Sequence, residues 1–135
     1  MRVVVDTNVL IASIGLKSPY RLIFDKIKTR ELEIALSNDI LSEYNEILSL
    51  KMNKSTADNL IKFFNFSSNV IKINIFFFWE LMTNDPSDNK FVDCYIASNS
   101  DFIITNDKHF EILNRNEFPK VNIISADDFL ELLRK

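Results

Sequence analysis

The 135-residue sequence predicts a three-layer α/β/α domain built on a central, mostly parallel five-stranded sheet. Short β-branched segments alternate along the whole chain with segments whose apolar residues have helical spacing. The first strand contains an unbroken run, Val3-Val4-Val5, that is typical of strands buried on both faces. No linker or low-complexity segment interrupts this alternation, so we interpret residues 1–135 as a single domain.

The first half of the chain supplies two strands and two helices. Residues 2–6 form strand one, after which Thr7 and Asn8 can turn the chain and cap a helix. Ser18-Pro19 begins a helix, because proline suits a first turn that needs no N–H partner. Residues 32–36 form strand two. Ser37 caps the next helix, whose buried stripe consists of Ile40, Tyr44, Ile47 and Leu48.

The second half continues the pattern. A helix begins at Ser55, a third strand spans residues 70–75, and the aromatic run 76–79 either extends that strand or forms a surface loop. Asp88 caps the following helix. The remaining elements are a strand at 102–105, a short helix carrying Phe110 and Leu113, a strand at 121–124 and a last helix capped by Ser125.

Composition excludes several classes of protein. The single glycine, Gly15, supplies neither a P-loop nor a dinucleotide-binding loop. The single histidine, His109, excludes a histidine-rich metal site, and the lone Cys94 predicts a chain without disulfides in the cytoplasm. No apolar run reaches the roughly 18 residues that cross a membrane. The net charge of −3 gives no bulk attraction for nucleic acid.

Four acidic residues are predicted to meet at one edge of the sheet. Asp6 and Asp107 follow strands one and four, and the helix that begins at Asp88 starts at the same edge. Glu43 lies further along its helix and reaches the cleft sideways. Without a nearby cation these carboxylates repel one another, and Mg²⁺ or Mn²⁺ removes that repulsion through oxygen-only ligation.

Each residue also has a structural interpretation. Asp88 and Asp107 are ordinary helix caps when considered alone, Glu43 is an ordinary surface residue, and Asp85 is a turn former before Pro86. Asp6 is the hardest to explain in this way, because a carboxylate that ends an apolar strand needs partners. Asn8 and Thr105 either orient carboxylates or waters through hydrogen bonds or only shape turns. Asp93, one turn beyond Asp88, either supports the carboxylates or is a surface charge of its helix.

Four segments together resemble the PIN domain family. They are Val5–Leu10, Leu41–Tyr44, Asp85–Phe91 and Ala97–Asp107, and the resemblance is closest to the VapC-like toxin branch. Departures from the family pattern are Asn106, Asn99-Ser100 and the aromatic run 76–79. The resemblance implies a PIN-like fold and a Mg²⁺- or Mn²⁺-dependent ribonuclease that prefers single strands. It also implies an antitoxin partner, a homodimer and metal-binding acids at Asp6, Glu43, Asp88 and Asp107.

The predicted reaction is hydrolysis of an RNA phosphodiester by metal-activated water. RNA backbone contacts are predicted, from proximity to the cleft, at Lys17, Arg21, Lys90 and Lys108. Two alternatives remain open. One is a PIN module that acts as a scaffold or RNA-binding partner without catalysis. The other is a different magnesium-dependent α/β phosphohydrolase, although the dehalogenase-like phosphatases need an aspartate where this chain has Asn8.

Overall fold

The computed structural model describes residues 1–135 and contains the predicted five-stranded sheet, flanked by helices. Every neighbouring pair of strands is parallel, so the sheet is entirely parallel rather than mostly parallel. The strand order is β3-β2-β1-β4-β5. The strands are β1 (Arg2–Val5), β2 (Glu33–Leu36), β3 (Val70–Lys72), β4 (Phe102–Ile104) and β5 (Ile123–Ile124).

Six α-helices connect and cover these strands. They are α1 (Thr7–Ile14), α2 (Arg21–Lys28), α3 (Asn38–Lys51), α4 (Lys54–Phe66), α5 (Asn89–Ser98) and α6 (Ala126–Arg134). Two 3₁₀ segments, Pro86–Asp88 and Lys108–Arg115, flank α5 and β4. Helices α1 to α4 lie in the connections from β1 to β3, and α5 leads from β3 back to β4 and packs against β1, β2 and β4. No helix combines the length and apolar character that crossing a bilayer requires.

Several predicted boundaries are wrong by a few residues. The first helix, α1, begins directly after Asp6, and α2 begins at Arg21 rather than at Ser18-Pro19. Helix α4 begins at Lys54, because the Asn53 side chain accepts a hydrogen bond from the backbone N–H of Thr56 and acts as its cap. Strand β3 ends at Lys72, and β5 is reduced to two residues.

Two predicted serine caps and several predicted core positions are confirmed. The hydroxyls of Ser37 and Ser125 accept N–H groups in the first turns of α3 and α6. Residues 3–5 of β1 are fully buried, as expected for a central strand covered on both faces. Phe91 and Phe110 lie in the same core with their rings in an edge-on contact at 6.5 Å.

The strand order reverses beside β1, and this reversal positions the candidate site. The chain moves outward from β1 to β2 and β3, and then returns to the other side of β1 with β4. In open parallel sheets, such a reversal leaves a crevice outside the carboxyl ends of the two strands at which it occurs. Asp6 follows β1 there, and Thr105 and Asp107 follow β4.

Candidate metal-binding active site

Asp6 and Thr105 connect the carboxyl ends of the two central strands. The backbone N–H of Asp6 donates to the carbonyl of Ile104 at 3.0 Å, continuing the pairing of β1 with β4. The Thr105 hydroxyl donates to Asp6 Oδ2 at 2.7 Å and accepts from the backbone N–H of Asp107 at 3.1 Å. Both side chains are buried. Thr105 therefore fixes the position of Asp6 and the start of the segment that carries Asp107.

Glu43 reaches this crevice from α3 and is held on both carboxylate oxygens. Its Oε2 accepts a hydrogen bond from the hydroxyl of Thr7, the residue that follows Asp6. Its Oε1 lies 3.0 Å from Nζ of Lys90 on α5. The neighbouring Tyr44 is fully buried, and its hydroxyl donates to the carbonyl of Val5, which ties α3 to the end of β1. These contacts explain how a residue well inside a helix arrives at the strand ends.

Asp107, Asp85 and His109 form a second group at the rim of the crevice. The Asp107 carboxylate caps the following 3₁₀ helix by accepting the backbone N–H of His109 at 2.9 Å. Nδ1 of His109 lies 3.3 Å from Asp107 Oδ1 and 3.4 Å from Asp85 Oδ2. The ligand atoms of these three residues lie within 4.8 Å of one another, so the group has the spacing to hold a metal ion.

Asp88 occupies the N-cap position of α5, as predicted, but its side chain makes no cap hydrogen bond. The pKa of its carboxyl group is raised to about 7, first by burial and then by the charges of Asp85, Asp6 and Asp107. An ordinary cap has the opposite behaviour, because donation from backbone N–H groups lowers the pKa of an aspartate. The structure therefore favours a role for Asp88 other than capping.

The charges of the predicted acids affect one another's pKa, but among them only Asp107 belongs to the group whose ligand atoms lie within 4.8 Å of one another. Burial raises the pKa of Asp6, the hydroxyl of Thr105 lowers it, and the charges of Asp107 and Glu43 raise it. Asp88 responds to Asp6 and Asp107 in the same way. One cation does lie beside these acids, because Lys90 pairs with Glu43, and the imidazole of His109 lies between Asp85 and Asp107.

The side chains gathered at this crevice, four predicted acids with Asp85 and His109 at the rim, have the chemistry to bind a hard divalent cation. Its members offer carboxylate and hydroxyl oxygens with one imidazole at the rim, and hard cations such as Mg²⁺ and Mn²⁺ prefer oxygen ligands. The raised pKa values of Asp6 and Asp88 report unfavourable negative charge that a bound cation would offset. The residues present are thus chemically suited to the metal that the sequence predicted.

The other predicted residues have varied positions. Asn8 is exposed on α1. Asp93 is buried and accepts the backbone N–H of Trp79 at 3.0 Å, so its interpretation as a surface charge is wrong and its contact lies outside the carboxylate group. Arg21 pairs with Asp25 at 2.8 Å and also donates to the backbone carbonyl of Ile14.

Lys17 and Lys108 are exposed, whereas Lys90 is engaged by Glu43 and by the carbonyl of Ser87. The sequence interpretation missed Thr7, Tyr44 and the grouping of Asp85 with His109. Thr7 and Tyr44 each stand next to a predicted acid, and that adjacency was the available signal. The pairing of Asp85 with His109 joins positions 24 residues apart, and only the folded chain reveals it.

The aromatic run lies outside regular structure and is largely exposed. Phe76, Phe77 and Phe78 expose 88%, 65% and 64% of their surface, so of the two predicted alternatives the run forms a surface loop and does not extend the strand. Trp79 is half-buried, and its ring packs edge-on against Phe77 at 4.8 Å. Phe78 lines the same open cavity as Glu43 and Lys90.

Comparison with known proteins identifies the family and the fold. The chain is similar to a chain of VapBC2 from Rickettsia felis, bound to a DNA fragment from its promoter, with 19% identity and a TM-score of 0.61. It is also similar to a chain of DNA-bound VapBC from Salmonella typhimurium, with 13% identity and a TM-score of 0.57. Each likeness covers 93% of this chain and 98% of the other.

No curated protein matches the chain. The sequence pattern that defines the PIN domain matches residues 2–109, a span that contains β1 to β4 and every acidic residue of the candidate site. That match extends over well more than half of the sequence. The chain belongs to the PIN domain family.

Proposed function

We propose that this protein is a divalent-metal-dependent endoribonuclease that acts as the toxin of a toxin–antitoxin pair. The observation that carries the proposal is geometric: Thr105 links Asp6 to the segment of Asp107, and Thr7 holds Glu43 beside Asp6, at the point where the strand order reverses. Membership of the PIN domain family and likeness to VapBC chains support the same interpretation.

The metal would be held by Asp6, Glu43, Asp88 and Asp107. A bound Mg²⁺ or Mn²⁺ would lower the pKa of a water molecule and stabilise the negative charge that develops on the leaving oxygen of a phosphodiester. The chain's own residues orient the acids: Thr105 holds Asp6, Thr7 holds Glu43, and Tyr44 holds α3 against β1. Such fixed positions matter, because displacements on the order of 1 Å in a reacting group reduce rates about a hundredfold.

A partner protein belongs to the proposal. The VapBC complexes contain two kinds of chain, and the exposed rings of Phe76, Phe77 and Phe78 form an apolar surface beside the acidic cavity. A small antitoxin with apolar and basic residues would complement both features. Homodimer formation is proposed on the family resemblance alone.

The direct test is an RNA cleavage assay on the purified full chain. We expect cleavage of a single-stranded RNA mixture with Mn²⁺ or Mg²⁺, and loss of cleavage with excess chelator. Asp6→Asn should abolish both cleavage and calorimetric metal binding, whereas the exposed Asp58→Asn on α4 should change neither. Full activity in Asp6→Asn, or cleavage that survives the chelator, would contradict the proposal.

A non-catalytic PIN module is the second interpretation, and the same assay separates the two. Metal binding without cleavage of any RNA would favour that module. The retention of all four acids, with their carboxylates interacting, favours the enzyme, since a scaffold gains nothing from carboxylates that repel one another.

A further inference from the structure

Lys90 was predicted near the cleft as an RNA contact, but its pairing with one of the predicted acids was not predicted. Its ammonium group lies 3.0 Å from Glu43 Oε1, and it also donates to the backbone carbonyl of Ser87. The side chain is 20% exposed and that of Glu43 is 28% exposed, so the pair lies at the wall of the cleft rather than in the core. A charged pair in this setting is held loosely enough to exchange partners.

Both carboxylate oxygens of Glu43 are occupied by donors from the chain itself. Thr7 donates to Oε2, and Lys90 lies against Oε1. A cation that binds Glu43 competes with these donors for the carboxylate, and its charge opposes a neighbouring ammonium group much more strongly than a neutral hydroxyl. Thr7 is 4% exposed and fixed in the first turn of α1 beside Asp6, whereas Lys90 ends a flexible, partly exposed side chain. Lys90 is the partner that can leave.

The cavity beside this pair offers a second use for the released ammonium group. It has a volume of about 450 Å³ and is lined by Glu43, Phe78, Ser87 and Asn89, among others. Lys90 is the one basic residue in that lining, which also contains Asp39, Glu46 and Asp93. A phosphate group that enters an otherwise acidic cavity needs this positive charge.

We propose that Lys90 exchanges between two anions: it pairs with Glu43 in the metal-free protein and with a substrate phosphate once a divalent cation has taken Glu43. This inference rests on the proposed function, since it requires that Glu43 bind the cation. Lys90 is in this view a substrate-binding residue whose availability depends on the metal. The exchange keeps the metal-free site electrostatically balanced and prevents Lys90 from offering a phosphate contact before the site is loaded.

Two simpler roles predict different results. If Lys90 only positioned Glu43, its neutralisation would weaken metal binding. If it were a permanent phosphate contact unconnected with Glu43, its neutralisation would leave metal binding unchanged. The exchange predicts tighter metal binding when Lys90 is neutralised, because the ammonium group no longer competes with the metal for Glu43.

The test is calorimetric titration of Mg²⁺ into the wild type, Lys90→Gln and Lys62→Gln. Lys62 is exposed on α4 and controls for the loss of one positive charge. Loss of a partly exposed ion pair should tighten Mg²⁺ binding about two- to fivefold in Lys90→Gln, with no change in Lys62→Gln. Equal or weaker binding in Lys90→Gln would overturn the inference.

A second measurement follows the amine itself. Acetylation of Lys90 by a limiting amount of acylating reagent, quantified by mass spectrometry against Lys62, should increase when Mg²⁺ is added. Binding of a non-cleavable 2′-O-methyl RNA in Mg²⁺ should weaken several-fold in Lys90→Gln, and its salt dependence should lose about one phosphate contact. Unchanged acetylation or unchanged RNA binding would each contradict the exchange.

The two proposals fail in distinguishable ways. If the wild type binds no Mg²⁺, or if Asp6→Asn binds it equally well, the metal site fails and the exchange fails with it. If the wild type binds Mg²⁺ through Asp6 but Lys90→Gln binds no more tightly, the exchange alone fails and the proposed enzyme stands.

Discussion

Replacement of Thr105 by valine tests whether the link between the two central strands holds the candidate site together. The Thr105 hydroxyl is buried, donates to Asp6 at 2.7 Å and accepts from the backbone N–H of Asp107 at 3.1 Å. Valine keeps the shape but removes both contacts. A hydrogen bond to a charged group contributes about 1.5–3 kcal/mol, and the half-buried N–H of Asp107 loses its partner as well. We expect the free energy of unfolding to fall by roughly 2–3 kcal/mol.

Denaturant unfolding at pH 7.5 in chelator measures this difference, with Thr105→Ser as the matched control that keeps the hydroxyl. The serine variant should lose only the packing of one methyl group, about 1 kcal/mol. Magnesium affinity should also fall in Thr105→Val, because Asp6 loses the donor that orients it. A valine variant as stable as the wild type, with equal Mg²⁺ affinity, would refute the assignment of Thr105 as the residue that positions Asp6.

Three further predictions concern charge, tethering and packing. The raised pKa of Asp88 means that the folded metal-free protein holds a proton at Asp88 more tightly than the unfolded chain, so this stabilisation is present in acid and is lost as the pH rises to about 7. Asp88→Asn should thus match the wild type near pH 4 and exceed its stability at pH 8 in denaturant titrations, while wild-type Mg²⁺ affinity should increase as the pH rises through 7. Tyr44→Phe, which removes the hydroxyl bound to Val5, should lower the unfolding free energy by about 1–2 kcal/mol and weaken Mg²⁺ binding. An unchanged unfolding free energy and an unchanged Mg²⁺ affinity, both measured by calorimetry, would contradict the role of this hydrogen bond in holding α3 against β1. Phe76→Ser should change stability by less than about 0.5 kcal/mol, whereas Phe110→Ala should lower it by about 3–5 kcal/mol, as measured by thermal unfolding.

The fold was predictable where one pattern dominated. Residues 3–5 form an apolar run that fits a central strand, and the serine caps at positions 37 and 125 identify the starts of α3 and α6. Helix α1 was not assigned, because Thr7–Ile14 continues the apolar character of β1 and shows little difference between its faces. Its start depends on backbone pairing of Asp6 with β4, which is a tertiary contact that no local pattern encodes.

The aromatic run 76–79 is a second case in which a tertiary contact overrides the local sequence pattern. Its residues favour a strand by intrinsic propensity, but the strand ends at Lys72 and the chain continues without regular structure. The buried carboxylate of Asp93 holds the backbone of Trp79, so a side chain rather than a neighbouring strand satisfies this segment. Sequence reasoning identified Asp93 as either an orienting residue or a surface charge. Its partner became evident only from the fold.

The sequence predicted the acidic residues of the candidate site but not the ion pair that partly neutralises them. Local sequence placed Asp6 and Asp107 at strand ends, and parallel topology brought them together. The sequence placed Lys90 near the cleft as an RNA contact but did not predict its pairing with an acid, because a lysine at the start of a helix carries no local signal of a partner on another helix. Its contact with Glu43 joins α5 to α3 across the cleft.

The donors already bound to these carboxylates affect how tightly the site can bind a metal ion. In the metal-free state the hydroxyls of Thr7 and Thr105 and the ammonium group of Lys90 already stabilise the carboxylates that a cation would bind. The two hydroxyls can remain in place when a cation binds, since they orient the acids without carrying positive charge. Lys90 carries a full charge and competes with the cation directly. The affinity of the site therefore reflects an exchange of one cation for another at Glu43, and substitutions at Lys90 and at Thr105 should change it in opposite directions.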